Sequence, residues 1–423
     1  MSQTAVRPAP PGAGGSGAPE PSRALAQLVV VAGAVVLLAL AAHAGAILIV
    51  VVALIAMVML HEFGHLVTAK WGHMKVTEYF LGFGPRLWSV RRGETEYGIK
   101  AIPAGSYVKI LGMTSAEEVD PEDEPRTYRQ QPFHNRLLVG VAGSAMHGVM
   151  AFVLLWGLFA FIGAPQGNTV AIAGFSSFAH GVDPARAAGI RPGDVVVAID
   201  GTRVVSADTL QRIVSHHAGT PVTVVVARGR GHHTVVVTPQ ADVAVRGANG
   251  RIGVVLTHPV QTSGPLRSLG DAGRQLGVAI TGSVTGLGQV FSASGISSYV
   301  HELTNSHTAS QASQHGTPRI QSIYGAARVA VQGARAGAYN LVWVLVNIIV
   351  FVGILNLFPM LPLDGGHVAI AVYERIRSRR GRMYHADVTK LTPVAYAFVL
   401  LLGFIVLSSL YLDIAHPLKN PFQ

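Results

Sequence analysis

His61-Glu62-Phe63-Gly64-His65 closes an apolar run that starts at Ile47, and the reading of this pentamer decides what kind of chain this is. Written as a helix, it stacks His61 and His65 one turn apart on a single face, near enough to share a metal ion. Neutral imidazole is a good zinc ligand, and the intervening glutamate can reach a water on that ion and act as its base. The setting sharpens the motif. Ile47 to Leu60 is almost wholly apolar, so three ionisable side chains stand inside a membrane-type helix, where such groups are costly and functional by default.

Composition agrees with a membrane setting. Half of the 423 residues are hydrophobic, 13% are charged, and mean hydropathy is +0.41. That is too apolar for an ordinary soluble protein and points to a polytopic α-helical membrane protein with polar inserts. The formal charge of +10 is almost all arginine, spread along the chain. It reads as membrane orientation and contact with anionic lipid; no basic–aromatic interleaving points to nucleic acid. With no cysteine, disulfides and thiolate sites are excluded, and a metal must be held by His, Asp or Glu.

Upstream of the motif, residues 1–24 are rich in Pro, Gly, Ala and Ser and are expected to be disordered. Leu25 to Leu66 is nearly all apolar; one helix of that length would run about 60 Å, twice the hydrocarbon core. Three readings stand. Residues 25–45 form an extra helix that turns at His43-Ala44-Gly45 and returns as the core helix 46–69. Alternatively, Arg23, the apolar run and Ala42-His43-Ala44 form a signal peptide with its cleavage site. The third reading is one overlong helix.

Downstream, 70–136 is a polar loop with short strands at Val76–Phe80 and Glu94–Ile102, broken at Gly82-Phe83-Gly84-Pro85 and Pro103-Ala104-Gly105. The alternation Thr95, Tyr97, Ile99 predicts a β-hairpin at the membrane surface. Glu117 to Glu124 reads as a solvated acidic loop. A second core helix occupies 137–163, with small residues from Gly143 to Gly148 that permit close packing. Residues 164–258 change to a soluble, strand-rich α+β module, with strands at Val195–Ile199, Val222–Ala227 and Thr234–Val237 and a helix at Asp208–His216. Residues 259–338 read as a linker with an amphipathic helix at Gln275–Val290. A third core helix, 339–366, ends on a Pro- and Gly-rich stretch; a basic loop, 367–392, a last helix, 393–413, and a tail, 414–423, follow. Four spans result, or five with 25–45. Lys70, Lys75 and the arginines from Arg375 to Arg382 put 70–136 and 367–392 in the cytoplasm and 163–335 outside it. Arg319, Arg328 and Arg335 count against this assignment, but an odd number of crossings separates the two sets of loops.

Two histidines leave a zinc site short of a protein ligand. Thr68 and Trp71 stand where a metzincin would place its glycine and third histidine, so that class is excluded. Glu78 and His73 follow the apolar stretch and are weaker choices. Asp364 is an isolated carboxylate after two prolines and before Gly365-Gly366. Prolines break the helix, and unpaired backbone is tolerated in a membrane only where it lines a cavity. A metal ion would neutralise the carboxylate there.

HEFGH in one core helix, with Asn356-Leu357-Phe358-Pro359-Met360-Leu361-Pro362-Leu363-Asp364-Gly365-Gly366 in a later one, resembles the site-2 protease family of intramembrane zinc metalloproteases. The inserted module and the hairpin at Gly93-Glu94-Thr95-Glu96-Tyr97-Gly98 make it most similar to the actinobacterial regulated intramembrane proteases. Pro184-Ala185-Arg186-Ala187-Ala188-Gly189-Ile190-Arg191-Pro192-Gly193-Asp194, followed by Val195–Ile199 and Asp200-Gly201, is similar to a bacterial PDZ domain. The resemblance implies one Zn²⁺ held by His61, His65 and Asp364, with Glu62 as general base. It implies substrates that are single-pass membrane proteins, such as anti-sigma factors, already cut outside by a site-1 protease. It also implies a plasma-membrane location, a site facing the cytoplasm and an extracytoplasmic PDZ-like domain that filters substrates or senses cut ends. Asn356 matches a substrate-holding asparagine, and an unwound substrate could add as a strand beside Tyr97 and Ile99.

Two departures stand out: Ser144 and His147 replace the asparagine and proline usual in the family's second-helix motif, and the extension to Ala42 is unusual. His147 is open to three readings: carbonyl-bonded packing, substrate contact or an extra ligand. His367 is placed to hydrogen-bond near the site. His216, His217, His232 and His233 read as surface residues, and His301, His307 and His315 as a loose accessory set. A catalytically inactive membrane PDZ scaffold is the rival reading, but a structural zinc site would have no need of Glu62. A transporter would want ionisable groups in more helices.

Overall fold

The computed structural model describes residues 21–113, 117–165, 169–176, 183–241, 250–315, 319–378, 384–418 and 420. The expected disorder at the start of the chain, and Arg379, Arg380 and Arg382 of the basic loop, lie outside these residues. The chain divides into two compact units: Val153–Gln275, and Met1–Phe152 together with Leu276–Gln423.

In the larger unit the apolar N-terminal stretch forms α1 (Pro21–Ala41) and α2 (Gly45–Trp71). His43, at φ 54°, marks the break, which rules out one overlong helix. α2 runs on through the pentamer without interruption. α3 (Phe133–Gly157) continues as a π-helical turn to Ile162. Among the described residues, four helical stretches are long and apolar enough to cross a membrane: α2, Phe133–Ile162, α10 (Ala338–Asn356) and Val388–Ala415, which contains α12 (Thr392–Ala415). The protein is thus a multi-pass membrane protein. A fifth span arises if α6 (Pro265–Val290) and α7 (Ala293–Thr304), bent by 68°, act as one, a pair not foreseen as a crossing.

β1 (Val76–Arg92) and β2 (Thr95–Ile110) are far longer than the strands expected there. The glycine signals make bends instead of ends. Gly82, Gly84 and Gly105 adopt φ of 86°, 82° and 142°, which glycine reaches without Cβ strain, and pairing resumes beyond them. The ribbon becomes four segments wide, in the order 86–92, 95–100, 76–81, 106–110 (Trp88↔Ile99, Leu81↔Ile99, Leu81↔Ser106). The segment 95–100 is flanked on both sides, and 106–110 lies at an edge.

Two further expectations are corrected. The third core helix does not run to 366: α10 ends at Asn356, Leu357 to Leu363 is irregular, and α11 (Asp364–Arg377) begins at the aspartate. Pro359 and Pro362 remove amide donors that a continuous helix would need. The basic loop therefore starts a full helix later than 367. Residues 259–338 are also more helical than a linker, holding α6, α7, α8 (Ser306–His315) and α9 (Ile323–Ala336). Ser292 and Ser322 cap α7 and α9, accepting the amides of Gly295 (3.0 Å) and Gly325 (3.1 Å). The start of α9 is tied to the end of α12: Arg319 donates to Asp413 Oδ1 (3.0 Å) and the His416 carbonyl (2.8 Å), and Arg328 to the Leu418 carbonyl (2.9 Å). The acidic stretch is engaged too, with Glu124 bonded by Arg129 and Glu117 by the Gly112 amide (2.8 Å).

The smaller unit is an α+β module. Its main sheet runs β11 (Val254–Thr257), β4 (Val170–Phe175), β5 (Val195–Ile199), β7 (Val222–Arg228), β8 (Gly231–Val237), with β6 (Thr202–Arg203) on β5. α4 (Pro184–Ala187) and α5 (Ala207–His216) complete it, and Val170, Ile199, Val222 and Val226 lie at the centre of its core. β3 (Ala164–Pro165) pairs with β12 (Val260–Gln261), closing the ends of the insertion; β9 (Gln240–Ala241) pairs with β10 (Gly250–Arg251).

Candidate metal centre

α2 carries His61 and His65 inward, buried at 8% and 4% exposure, and leaves Glu62 half-buried beside them. Asp364 comes from the first position of α11. Its approach depends on the glycine pair: a Cβ on Gly365 would strike the Leu357 and Phe358 carbonyls, and one on Gly366 would meet the Leu361 amide at 2.7 Å. The irregular segment thus folds back onto the start of α11 and sets the carboxylate against α2.

The three ligand atoms form a nearly equilateral triangle. His61 Nε2 and His65 Nε2 lie 3.3 Å apart, and Asp364 Oδ2 is 3.2 Å from the first and 3.3 Å from the second. Tetrahedral zinc with bonds near 2.05 Å needs ligand atoms ~3.3 Å apart. Asp364 Oδ2 is buried and, among the described residues, accepts no hydrogen bond, as expected of an atom whose lone pair is reserved for a cation. His65 Nδ1 donates to the Val139 carbonyl at 2.8 Å, which fixes the proton there and frees Nε2 as a ligand. The residues fit a zinc ion.

Helix packing supports this triangle. A Cβ on Gly64 would meet the Ala142 carbonyl at 2.6 Å, and one on Gly143 would meet His65 Nε2 at 2.5 Å and His61 Nδ1 at 2.7 Å. Glycines on both helices thus let α3 lie against the histidines. α3 is bonded in turn to α10: Ser144 Oγ donates to the Gly353 carbonyl (2.8 Å), and His147 Nδ1 to that of Ile349 (2.7 Å). His147 occupies the carbonyl-bonded packing position, its ring 5.1 Å from that of His61 and edge-on to it.

Glu62 Oε2 accepts the Val108 amide at 3.1 Å, from the edge segment 106–110. Nearby, Tyr79 donates to the Met59 carbonyl (2.7 Å); burial, aided by the Glu62 charge, pushes its phenol up to about 12, so it keeps its proton. Tyr97 accepts from Lys70 (2.7 Å), and Ile99 lies in the same doubly flanked segment, so neither offers a free strand edge. Asn356 is half-buried as the last residue of α10. Glu78 is engaged by Tyr107 and Lys100 and is not one of the grouped ligand residues, His61, His65 and Asp364. His367 packs edge-on to Tyr128 (6.4 Å between rings), and the hydrogen bond expected of it is not found among the described residues. Sequence reasoning missed Val108 and Val139, which act through backbone atoms and leave no side-chain signal. Gly143 belonged to a small-residue motif already visible.

Residues 49–402 match the profile of peptidase family M50. The zinc metalloprotease Rip1 of Mycolicibacterium smegmatis is 34% identical over 408 residues, spanning 87% of this chain and 96% of the relative. Rip1 of Mycobacterium tuberculosis is 33% identical over 395 residues, with the same coverage. A putative zinc metalloprotease of Clostridium perfringens is 27% identical over 369 residues, covering 86% of this chain and 97% of its own.

Proposed function

The chain belongs to peptidase family M50, the intramembrane site-2 zinc metalloproteases, and from that premise we propose that His61, His65 and Asp364 hold the ion while Glu62 is the general base. The single observation carrying this assignment is the ligand triangle with a glutamate beside it. Zinc, when bound, supplies Lewis acidity that polarises a peptide carbonyl and makes water a better nucleophile near neutral pH. Glu62 has one carboxylate oxygen held by the Val108 amide, which leaves the other to take the water's proton and return it to the leaving amine. His65, anchored through Nδ1, keeps the triangle's shape through the turnover.

A peptide carbonyl in a transmembrane helix is already hydrogen-bonded, so the substrate must unwind before attack. Its freed amides and carbonyls then need partners. The edge segment 106–110 touches Glu62 and supplies those partners by strand addition, taking the role first expected of the Glu94–Ile102 hairpin. Asn356, at the end of α10, is our choice for a side chain that holds the unwound substrate backbone.

The substrates we envisage are single-pass membrane proteins already trimmed by a site-1 protease, membrane-tethered regulators such as anti-sigma factors among them. The proposed address is the plasma membrane, with the metal centre toward the cytoplasm. In that arrangement Arg319 and Arg328 lie outside, and their bonds to the end of α12 account for these two exceptions to the charge rule. The smaller unit would then be an extracytoplasmic PDZ-like module that captures a chain end. Its signature folds as α4, a turn at Gly189 and Gly193 (φ 84° and 91°) and β5. Co-expression with a tagged single-pass regulator compares the intact protein with Glu62→Ala. We expect the regulator to accumulate in half-trimmed form with the variant; equal processing by both would reject the reading.

A further inference from the structure

The two histidines and the aspartate belong to helices far apart in sequence, so something must hold α11 in register with α2. The glycine contacts that shape the start of α11 do not: those of Gly365 and Gly366 are with Leu357, Phe358, Met360 and Leu361, all within the same short segment. One face of α3 supplies the connection. Arg136, Val139, Gly140 and Gly143 are all buried and stand at i, i+3, i+4 and i+7, which places them in one row along the helix. Val139 and Gly143 meet the histidines: the Val139 carbonyl accepts His65 Nδ1 at 2.8 Å, and a Cβ on Gly143 would strike both rings. Arg136 and Gly140 meet α11. Arg136 is ion-paired with Glu374, and a Cβ on Gly140 would lie 2.8 Å from Val368 Cγ2.

The contacts run in opposite directions along the two helices. Arg136 faces Glu374, Gly140 faces Val368, and Gly143 lies at the histidines that Asp364 approaches. α11 is thus a short rod touching α3 at its middle and tied to it at its far end. With the contact at Val368 as fulcrum, Glu374 stands ~9 Å along the axis on one side and Asp364 ~6 Å on the other. A drift of ~1 Å at Glu374 would carry Asp364 by ~0.7 Å, against the ~0.2 Å within which metal–ligand distances hold. Glu374 is itself held from two sides, since its other oxygen accepts the Ala386 amide at 2.6 Å.

We propose that the Arg136–Glu374 pair is a positioning device for the metal centre, fixing α11 against α3 and thereby keeping Asp364 at ligand distance from His61 and His65. The proposal rests on the ligand assignment above and adds the element that aligns it. Neither residue belongs to the ligand triangle; both act through the helices that carry it.

The test uses full-length protein in detergent, stripped of metal, titrated with Zn²⁺ against a chelating dye and separately loaded with Co²⁺. Glu374→Ala and Arg136→Ala should each weaken zinc binding about tenfold or more. Their cobalt absorption should be weaker and lie at shorter wavelength as coordination departs from tetrahedral. Wild-type zinc affinity and cobalt spectrum in either variant overturn the proposal. Should the alanine variants not fold, Glu374→Gln removes the charge and keeps the shape; it should weaken zinc about threefold, and an unchanged affinity overturns the proposal equally. Arg319→Ala is the control, breaking a pair as deeply buried, with Asp413 of α12. It should lower the melting temperature and leave zinc affinity and cobalt spectrum unchanged; a loss of zinc as large as in Glu374→Ala would mark general loosening and overturn the positioning role. Asp364→Ala separates the two readings. Zinc lost there but unaffected in the pair variants rejects the positioning role alone, whereas zinc retained there rejects the ligand assignment itself.

Discussion

In α12, Leu400, Phe404 and Leu407 turn outward at 60–75% exposure, while Asp413 is buried at 1%. In the inserted module the order reverses: Val170, Ile199 and Val222 are buried at 0%, and Thr202 and Arg203 are exposed. The two regions use one alphabet against two solvents. The module must withdraw apolar area from water to stay folded. The membrane-type helices have apolar surroundings already, so their interior is free to collect groups that lipid cannot solvate. That is why His61, His65, His147, Arg136 and Glu374 are all buried in the larger unit, and why a reactive metal centre can be built there.

The strongest way to break the contrast is to remove the buried polar groups. Asp364→Ala should abolish both cleavage and zinc retention in purified protein, measured by metal analysis. Glu62→Gln should keep the zinc and lose cleavage by ~10² to 10⁴-fold, the usual span for a general base. Next comes the buried pair Arg136–Glu374: Glu374→Ala strands a guanidinium at 6% exposure and should cost ~3–5 kcal/mol, seen as earlier unfolding in detergent. Exposed positions sharpen the comparison directly. Leu400→Arg should cost ~2.5–3.5 kcal/mol in a membrane-insertion assay. Val236→Arg, 62% exposed in the module, should change stability by only ~0.5 kcal/mol or less.

The smallest effect is a titration confined to the module. Asp194 accepts from Arg228 (2.7 Å) and from the Arg191 amide (2.8 Å), and the Arg228 bonds foremost hold its carboxyl below the usual aspartate range. A depressed folded value means the stabilisation is complete above the unfolded value of about 3.9 and is lost as pH falls through the lower one. Protection of β5 and β7 amides, taken relative to the intrinsic exchange rate at each pH, should therefore fall below about pH 4, and Asp194→Asn should already show the lower protection at neutral pH and remove that dependence.

Legibility differed by element for physical reasons. β5 was read from sequence at its true ends and α5 to within a residue, because a water-facing module must alternate or phase its apolar residues and Ser206 caps α5. The pentamer and Asp364 were visible because charge inside an apolar run is itself a signal. The four-wide ribbon was not, since glycine marks a place where the chain can turn and says nothing about which partner it meets afterwards. α11 was hidden behind its arginines, which read equally as loop or helix. Tyr97 and Ile99 were singled out by alternation, which shows that a segment is a strand and is silent on whether its edges are free.

The sequence by itself determined the chemistry: two imidazoles a helical turn apart, a carboxylate freed by prolines, and no thiol to compete with them. It could do so because ligand type and helical spacing are local properties. Tertiary structure decided which atoms meet. The ~3.3 Å triangle, the glycine contacts of α2 with α3 and the edge strand at Glu62 join residues tens to hundreds of positions apart. Such distances are fixed only by packing, where the absence of a single Cβ sets how closely two helices approach.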